Sequence, residues 1–230
     1  MKEMEITDEM KMKLAVSEAQ ILMDVMARVA HPNIMEIKKV YHIGDRFYLI
    51  FPLCEGGELI QRVREKVRFT EPAAALVLRD LISALHAMHT NNILHLDIKP
   101  ENILYETKEE NSRIKVTDFG LSTLLCDSRP YEMIQQQKLG DKKPPTVEQM
   151  DAIMANFDMH TFCAADGVCG TVGFISPEMI LTGFRSKAAD VFAAGVVFYI
   201  MLSGYAPFDA LTDRKTIAKT LYGKISVIDS

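Results

Sequence analysis

The stretch that decides the fold is His95-Leu96-Asp97-Ile98-Lys99-Pro100-Glu101-Asn102, which Asp118-Phe119-Gly120 follows further along the chain. The carboxylate of Asp97 can accept a hydroxyl proton, and the ammonium of Lys99 can neutralise a transferring phosphate. Asn102 and Asp118 offer the hard oxygen ligands that Mg²⁺ prefers. Because phosphoryl transfer needs these three things, the two runs together predict a site for that chemistry.

Each of these residues also has a plainer interpretation. A lone aspartate, lysine or asparagine in a loop is more often part of a capped turn than of a reactive site. That interpretation fits any one of them, but it does not fit both runs in this order and at this spacing. The chemical interpretation is therefore favoured.

Length and composition are typical of a soluble globular protein: 230 residues, of which 48% are hydrophobic and 25% are charged. The formal net charge of -5 gives no field that would concentrate a nucleic acid or an anionic membrane, so neither partner is expected. No apolar run reaches the length of a membrane span. Because no address signal is visible, a cytoplasmic location is expected, with the nucleus as the alternative.

The cysteines indicate neither a disulfide framework nor a structural zinc site. They form no C-x-x-C pair, and no histidine stands at zinc spacing from them. A reducing compartment fits this pattern. The four residues are Cys54, Cys126, Cys163 and Cys169.

The spacing of apolar residues predicts a little sheet followed mostly by helices, which is an α+β arrangement with segregated parts. The last predicted helix is apolar on all sides and is expected to be buried at the centre. The predicted elements are a long amphipathic helix over 7–30, a hairpin with strands over 35–41 and 47–51, and helices over 58–66, 72–90 and 188–203.

Residues 126–168 differ from the rest of the chain and are interpreted as an insertion. They are polar, rich in methionine and glutamine, and interrupted by Pro144-Pro145. Within them, residues 146–149 have the pattern of a capping box, and apolar residues follow at helical spacing. A short docked helix is therefore favoured over a loop without regular structure.

Taken together, these residues resemble a serine/threonine protein kinase, similar to the calcium/calmodulin-dependent group, from about Glu18 to the end of the chain. Lys99 in the catalytic loop marks the serine/threonine type. Gly170-Thr171 and Ser176-Pro177-Glu178 resemble the end of the family's activation segment, although alanine is more usual than Ser176.

The resemblance implies a protein-kinase-like, two-lobed α+β fold. Residues 1–54 would be a partial small lobe and hinge, with helix C and two strands. Residues 55–230 would be most of the mainly helical large lobe, with the activation segment lengthened by residues 126–168.

The resemblance also implies roles in binding ATP. Phe51 resembles the gatekeeper, and the backbone of Cys54 in the hinge would hydrogen-bond adenine. Leu104 would form the floor under the base, and Thr117 stands just before the metal-binding Asp118.

Three further assignments follow from the resemblance. Glu18 matches the helix C glutamate that pairs with a lysine, although exposed glutamates on helices are usually only solvated. Glu58 matches the residue that contacts an arginine upstream of the phosphorylated residue, with a place in the first turn of a helix as its alternative. Thr171 is assigned to the substrate side.

The chain departs from the family pattern in several places. No G-x-G-x-x-G run or A-x-K strand precedes the predicted helix C, and the chain stops at Ser230, so we expect it to be truncated at both ends and inactive alone. Leu96 occupies the position of a usual arginine.

The resemblance implies a kinase that uses ATP and Mg²⁺ and acts on protein substrates, with calmodulin as a partner through a region outside this chain. The alternative is a catalytically inactive scaffold of the same fold, which the presence of all four predicted catalytic residues disfavours. A small-molecule phosphotransferase is disfavoured by the segment that begins at Gly170-Thr171. The four residues are Asp97, Lys99, Asn102 and Asp118.

Overall fold

A computed structural model describes residues 2–5, 29–43, 46–125, 169–223 and 225. The predicted helix over 7–30 and the insertion over 126–168 lie almost wholly outside these residues. Within the described part, strands dominate up to Ile50 and helices dominate after it. The structure therefore has the mixed composition that the sequence predicts.

An antiparallel sheet forms from β1 (Lys2–Glu5), β2 (Lys39–Ile43) and β3 (Arg46–Ile50), in the order β1-β3-β2. The β2–β3 hairpin was predicted, and the structure confirms it. The prediction of two strands here was incomplete, because β1 adds a third along the other edge of β3. Strand β1 reads Lys-Glu-Met-Glu, which is too short and too charged to indicate a strand by itself.

The rest of the fold is mainly helical, and the three helices predicted for it are present with only their first residues shifted by one. Two short two-stranded pairings lie among the helices of the described residues. The elements are α1 (Leu59–Lys66), α2 (Glu71–Thr90), β4 (Ile93–Leu94), a 3-10 turn (Pro100–Asn102), β5 (Ile103–Tyr105), β6 (Ile114–Val116), β7 (Thr123–Leu124), α3 (Pro177–Thr182), α4 (Lys187–Ser203) and α5 (Asp213–Tyr222). Strand β4 pairs with β7, and β5 pairs with β6.

Helix α4 lies at the centre of this part and packs against α2. It begins at Ser186, whose side chain accepts a hydrogen bond from the N–H of Ala189, and it ends at Gly204 in the left-handed conformation. Fully buried Ala194 and Val197 face the main core, so the helix is held by burial more than by exposed polar contacts. The prediction of a buried central helix is confirmed.

A second, smaller apolar cluster joins the loop after β4 to the chain after residue 168. We call it the second cluster. Its buried members come from β4, from that loop, from the segment before α3, and from α3, α4 and α5. They are Leu94, Leu96, Cys169, Ile175, Met179, Ile180, Ala189 and Ile217.

In the part of the chain that the structure describes, no helix is both long enough and apolar enough to cross a membrane.

Candidate functional site

The loop between β4 and the 3-10 turn carries Asp97 and Lys99, two of the predicted catalytic residues, and a buried carboxylate on α4 holds it in place. Asp190 is 1% exposed and accepts hydrogen bonds from the N–H groups of His95 (3.0 Å) and Leu96 (2.8 Å). The same carboxylate lies 2.8 Å from Nε2 of His89. Leu96 has a φ of 66°, a left-handed conformation that leucine rarely adopts, so these contacts stabilise a backbone that is costly by itself.

His95 connects the two predicted motifs through a fully buried ring. Its Nδ1 accepts a hydrogen bond from the N–H of Asp97 (3.2 Å), and its Nε2 donates to the carbonyl of Thr117 (3.1 Å). The ring also lies against Phe119, with 5.1 Å between centroids. Burial lowers the pKa of His95 below its usual value, although nearby Asp190 opposes this. A neutral ring matches one accepting and one donating nitrogen.

Asp97 lies at the centre of a compact set of side chains. Its Oδ2 accepts hydrogen bonds from Nζ of Lys99 (2.8 Å) and Nδ2 of Asn102 (2.9 Å). Its Oδ1 accepts one from the hydroxyl of Thr171 (2.7 Å), and that hydroxyl accepts one from Lys99 (2.8 Å). The structure therefore brings together a carboxylate, an ammonium and an aliphatic hydroxyl.

The two residues predicted to hold magnesium, Asn102 and Asp118, lie on segments that hydrogen-bond to each other. The amide nitrogen of Asn102 donates to both the carbonyl and the carboxylate of Asp97, which leaves the amide oxygen as its metal-ligand atom. The carbonyl of Asn102 accepts from the N–H of Thr117 (2.9 Å), next to Asp118 in sequence. Asp118 has a φ of 63°, and its Oδ1 accepts a hydrogen bond from the N–H of Gly120 (3.4 Å).

This donor set fits Mg²⁺, which binds proteins through one or two side-chain oxygens and completes its shell with phosphate and water. Among the described residues, no group of three or more His, Cys, Asp or Glu side chains could hold a metal by itself. A site built from Asn102 and Asp118 would therefore depend on a phosphate ligand, as the sequence prediction requires.

Thr171 reaches Asp97 because Gly170 lets the two segments approach closely. A Cβ at Gly170 would lie 2.8 Å from the carbonyl oxygen of Leu96 and 3.3 Å from Cγ1 of Ile175. The φ of Gly170 is 119°, which side-chain-bearing residues rarely adopt. Both observations require glycine at this position.

On the other side of the site, the chain after β3 runs along β5. We call residues 54–58 the hinge ribbon. The N–H of Glu55 donates to Glu106 (3.1 Å), the N–H of Gly56 donates to Tyr105 (3.1 Å), and the N–H of Tyr105 donates to Gly57 (2.9 Å). These bonds fix the ribbon against the strand that carries Leu104.

The structure places three predicted adenine-binding residues around this ribbon. Phe51 is half-buried against the main core, and Leu104 is half-buried on β5. Cys54 is half-buried, and burial raises the pKa of its thiol, which opposes thiolate formation. Glu18, predicted to be the helix C glutamate that pairs with a lysine, lies outside the described residues.

Glu58 immediately precedes α1, and its main chain takes part in starting the helix. Its N–H donates to Oε1 of Gln61 (3.3 Å), the second half of a capping box. This contact agrees with the helix-start alternative. It involves the main chain of Glu58 and does not test whether the carboxylate contacts a substrate. The substrate role of Glu58 stays a prediction.

Sequence reasoning missed three residues that support the site through contacts with distant segments: His89, Ser122 and Arg62. His89 contacts Asp190, Ser122 donates to the carbonyl of His95 (3.2 Å), and Arg62 lies under the loop between β5 and β6. None of them belongs to a local motif, so only the packing of distant segments reveals them.

In this fold, the loop that carries Asp97 and Lys99 lies near both the hinge ribbon and the segment that begins at Cys169. The profile of the family described as protein kinase domain matches residues 1–229. The chain therefore belongs to the protein kinase family.

Two relatives are similar in sequence to most of this chain. Calcium/calmodulin-dependent protein kinase type 1 of Macrobrachium nipponense is 34% identical over 200 residues, which cover 87% of this chain and 48% of that protein. Calcium and calcium/calmodulin-dependent serine/threonine-protein kinase of Oryza sativa subsp. japonica is 33% identical over 217 residues, which cover 94% of this chain and 36% of that protein. The chain thus spans less than half the length of either relative.

Proposed function

We propose that this domain transfers the γ-phosphate of ATP to serine or threonine hydroxyls of proteins. One observation carries the proposal: Oδ1 of Asp97 accepts a hydrogen bond from the hydroxyl of Thr171, with 2.7 Å between the two oxygens. Nζ of Lys99 lies 2.8 Å from the same hydroxyl oxygen. A threonine hydroxyl is one of the two groups that the proposed substrate would present. The carboxylate is therefore arranged to bind and orient such a group.

Each residue then has a defined task. Asp97 orients the acceptor hydroxyl and accepts its proton, and Lys99 neutralises charge next to that carboxylate. Asn102 and Asp118 would hold Mg²⁺, which neutralises phosphate charge when it is bound. The main chain at Cys54 would bind the adenine over Leu104, so the hinge ribbon sets where the nucleotide lies.

The proposal extends to partners and location. Protein substrates follow from the family, and calmodulin control is supported only by the names of the two relatives. We propose that calmodulin binds a region outside this chain. A cytoplasmic location, or a nuclear one, completes the proposal.

The test combines a thermal-shift assay with Mg-ATP and a peptide phosphorylation assay on the protein that carries this domain. Asp97→Asn should leave the thermal shift in place and lower the phosphorylation rate about a hundredfold or more. Asp209→Asn, at an exposed aspartate, is the matched control and should change neither. Binding of Mg-ATP without peptide phosphorylation in the unsubstituted protein would favour the inactive scaffold and overturn the proposal.

A further inference from the structure

Arg62 on α1 is a charged side chain in a buried place, since only 9% of it is exposed. Its Nη2 donates to the carbonyl of Thr107 (2.9 Å), and its Nη1 donates to the carbonyl of Glu110 (3.2 Å). A buried guanidinium is costly unless it is well hydrogen-bonded. Here main-chain oxygens of the loop between β5 and β6 provide two of these bonds, so the residue fixes the path of that loop.

The same guanidinium stacks on an aromatic ring of β5. Its Cζ lies 3.5 Å from the centroid of the Tyr105 ring, which is a close cation–π contact. Tyr105 is 2% exposed, and burial raises its pKa to about 12, with the Arg62 charge acting in the opposite direction. Arg62 therefore faces a neutral ring and holds both β5 and the loop that leaves it.

The loop and the ring that Arg62 holds are the ones on which the hinge ribbon lies. A Cβ added to Gly56 would be 2.0 Å from the Thr107 carbonyl oxygen and 2.5 Å from Cβ of Tyr105. The carbonyl that Arg62 binds is thus in direct contact with the ribbon. Main-chain hydrogen bonds between Gly56, Gly57 and Tyr105 complete the link.

From this geometry we propose that Arg62 is a positioning residue for the nucleoside end of ATP. It does not touch the nucleotide. It fixes the Thr107 carbonyl and the Tyr105 ring, and these set the separation between the hinge ribbon and Leu104, the two surfaces that enclose the base. This inference rests on the proposed function, because that function makes adenine the ligand.

Lys66 provides a matched control because it holds the same loop by a contact on the surface. Its Nζ lies 2.5 Å from Oε1 of Glu110, and 38% of the lysine side chain is exposed. Among the described residues its ammonium contacts Glu110 and the Phe69 ring, and it forms no hydrogen bond with Thr107 or Tyr105. Removing Lys66 therefore loosens the loop without disturbing the surface on which the ribbon lies.

The experiment uses Arg62→Ala, Arg62→Lys and Lys66→Ala in the whole protein, below the unfolding temperature of all three. Adenosine affinity is measured by calorimetry, and amide hydrogen exchange is measured at Gly56 and Tyr105. Arg62→Ala should weaken adenosine binding about fivefold to tenfold and speed exchange at both amides. Lys66→Ala should change neither quantity.

Arg62→Lys separates positioning from stability. A lysine keeps the charge but cannot donate from a planar fork to two carbonyls while stacking on the ring. It should recover part of the lost thermal stability while adenosine binding stays weak, and it carries the test if Arg62→Ala fails to fold. Adenosine affinity that follows stability alone, or unchanged exchange at Gly56 and Tyr105, would overturn the proposal. If the unsubstituted protein binds neither adenosine nor ATP, the proposed function fails, while the exchange rates still decide whether Arg62 holds the ribbon.

Discussion

The hinge ribbon and the segment that begins at Cys169 border the same catalytic loop, and the structure holds them in different ways. The ribbon is fixed mainly by main-chain hydrogen bonds to β5 and the residue after it. The side chains of the ribbon take no part in these bonds, although Gly56 leaves no room for a Cβ. The segment after Cys169 is fixed by side chains: the second cluster and the hydroxyl of Thr171.

This difference predicts how each region responds to substitution. Main-chain ladders lose little when a side chain is changed, whereas a packed cluster loses contacts with every atom removed. We therefore expect the segment that begins at Cys169 to be the more sensitive of the two to single side-chain changes. Arg62 is the exception. Its side chain supports the main-chain hydrogen bonds between the hinge ribbon and β5, although Arg62 does not belong to the ribbon.

The largest expected effect comes from Leu96→Ala, in the second cluster. The side chain is 5% exposed, so its loss should lower the free energy of unfolding by about 2 to 4 kcal/mol. Leu76→Ala on α2, where the leucine is 46% exposed, is the matched control and should cost under about 1 kcal/mol. Urea unfolding of both variants measures the difference. Equal costs would mean that burial in the second cluster does not hold the segment that begins at Cys169.

A smaller effect, on selectivity, is expected from Glu58→Gln. Glu58 belongs to the hinge ribbon by its main chain, yet its carboxylate is predicted to contact the peptide. The variant should weaken peptides with an upstream arginine about tenfold, because it loses a charge-assisted pair, and should leave arginine-free peptides unchanged. Competing the two peptides in one phosphorylation assay measures this, with Glu65→Gln on exposed α1 surface as the control. Equal loss on both peptides would leave Glu58 only its helix-start role.

The smallest effect, and of opposite sign, is expected from Ser176→Ala. Ser176 is 0% exposed, and among the described residues its Oγ has no hydrogen-bond partner. Removing an unsatisfied buried hydroxyl should leave stability unchanged or raise it by up to about 1 kcal/mol. Ser186→Ala is the contrast, because that hydroxyl caps α4 and its loss should cost about 1 kcal/mol. A cost at Ser176 equal to that at Ser186, measured by thermal unfolding, would show that the hydroxyl has a partner.

Helices and reactive residues could be predicted from the sequence because their signals are local. The apolar spacing over 72–90 and 188–203 is strong enough to bound both helices, and Asp97, Lys99 and Asn102 lie within one short run. A short run restricts the distances between its members whatever the rest of the fold does. The structure accordingly finds these three side chains in contact.

Other contacts could not be predicted, because they join segments that are far apart in the chain. Thr171 was assigned to the substrate side, but nothing local indicates that its hydroxyl would contact Asp97. Likewise, His89 ends one helix and Asp190 begins another, and only packing brings them together. Strand β1 was missed for a related reason: its residues become a strand only because β3 offers an open edge.

The carboxylate of Asp190 has a consequence for how the molecule comes apart. Two adjacent amides of the catalytic loop, at His95 and Leu96, are bonded to one side chain in the first turn of α4. Neither amide can open to water unless that bond pair breaks, and the carboxylate is too deeply buried to be replaced by solvent first. We therefore expect the loop to unfold together with α4, although loops usually belong to the least stable part of a protein. Asp97, which this loop carries, should therefore keep its arrangement until the core itself unfolds.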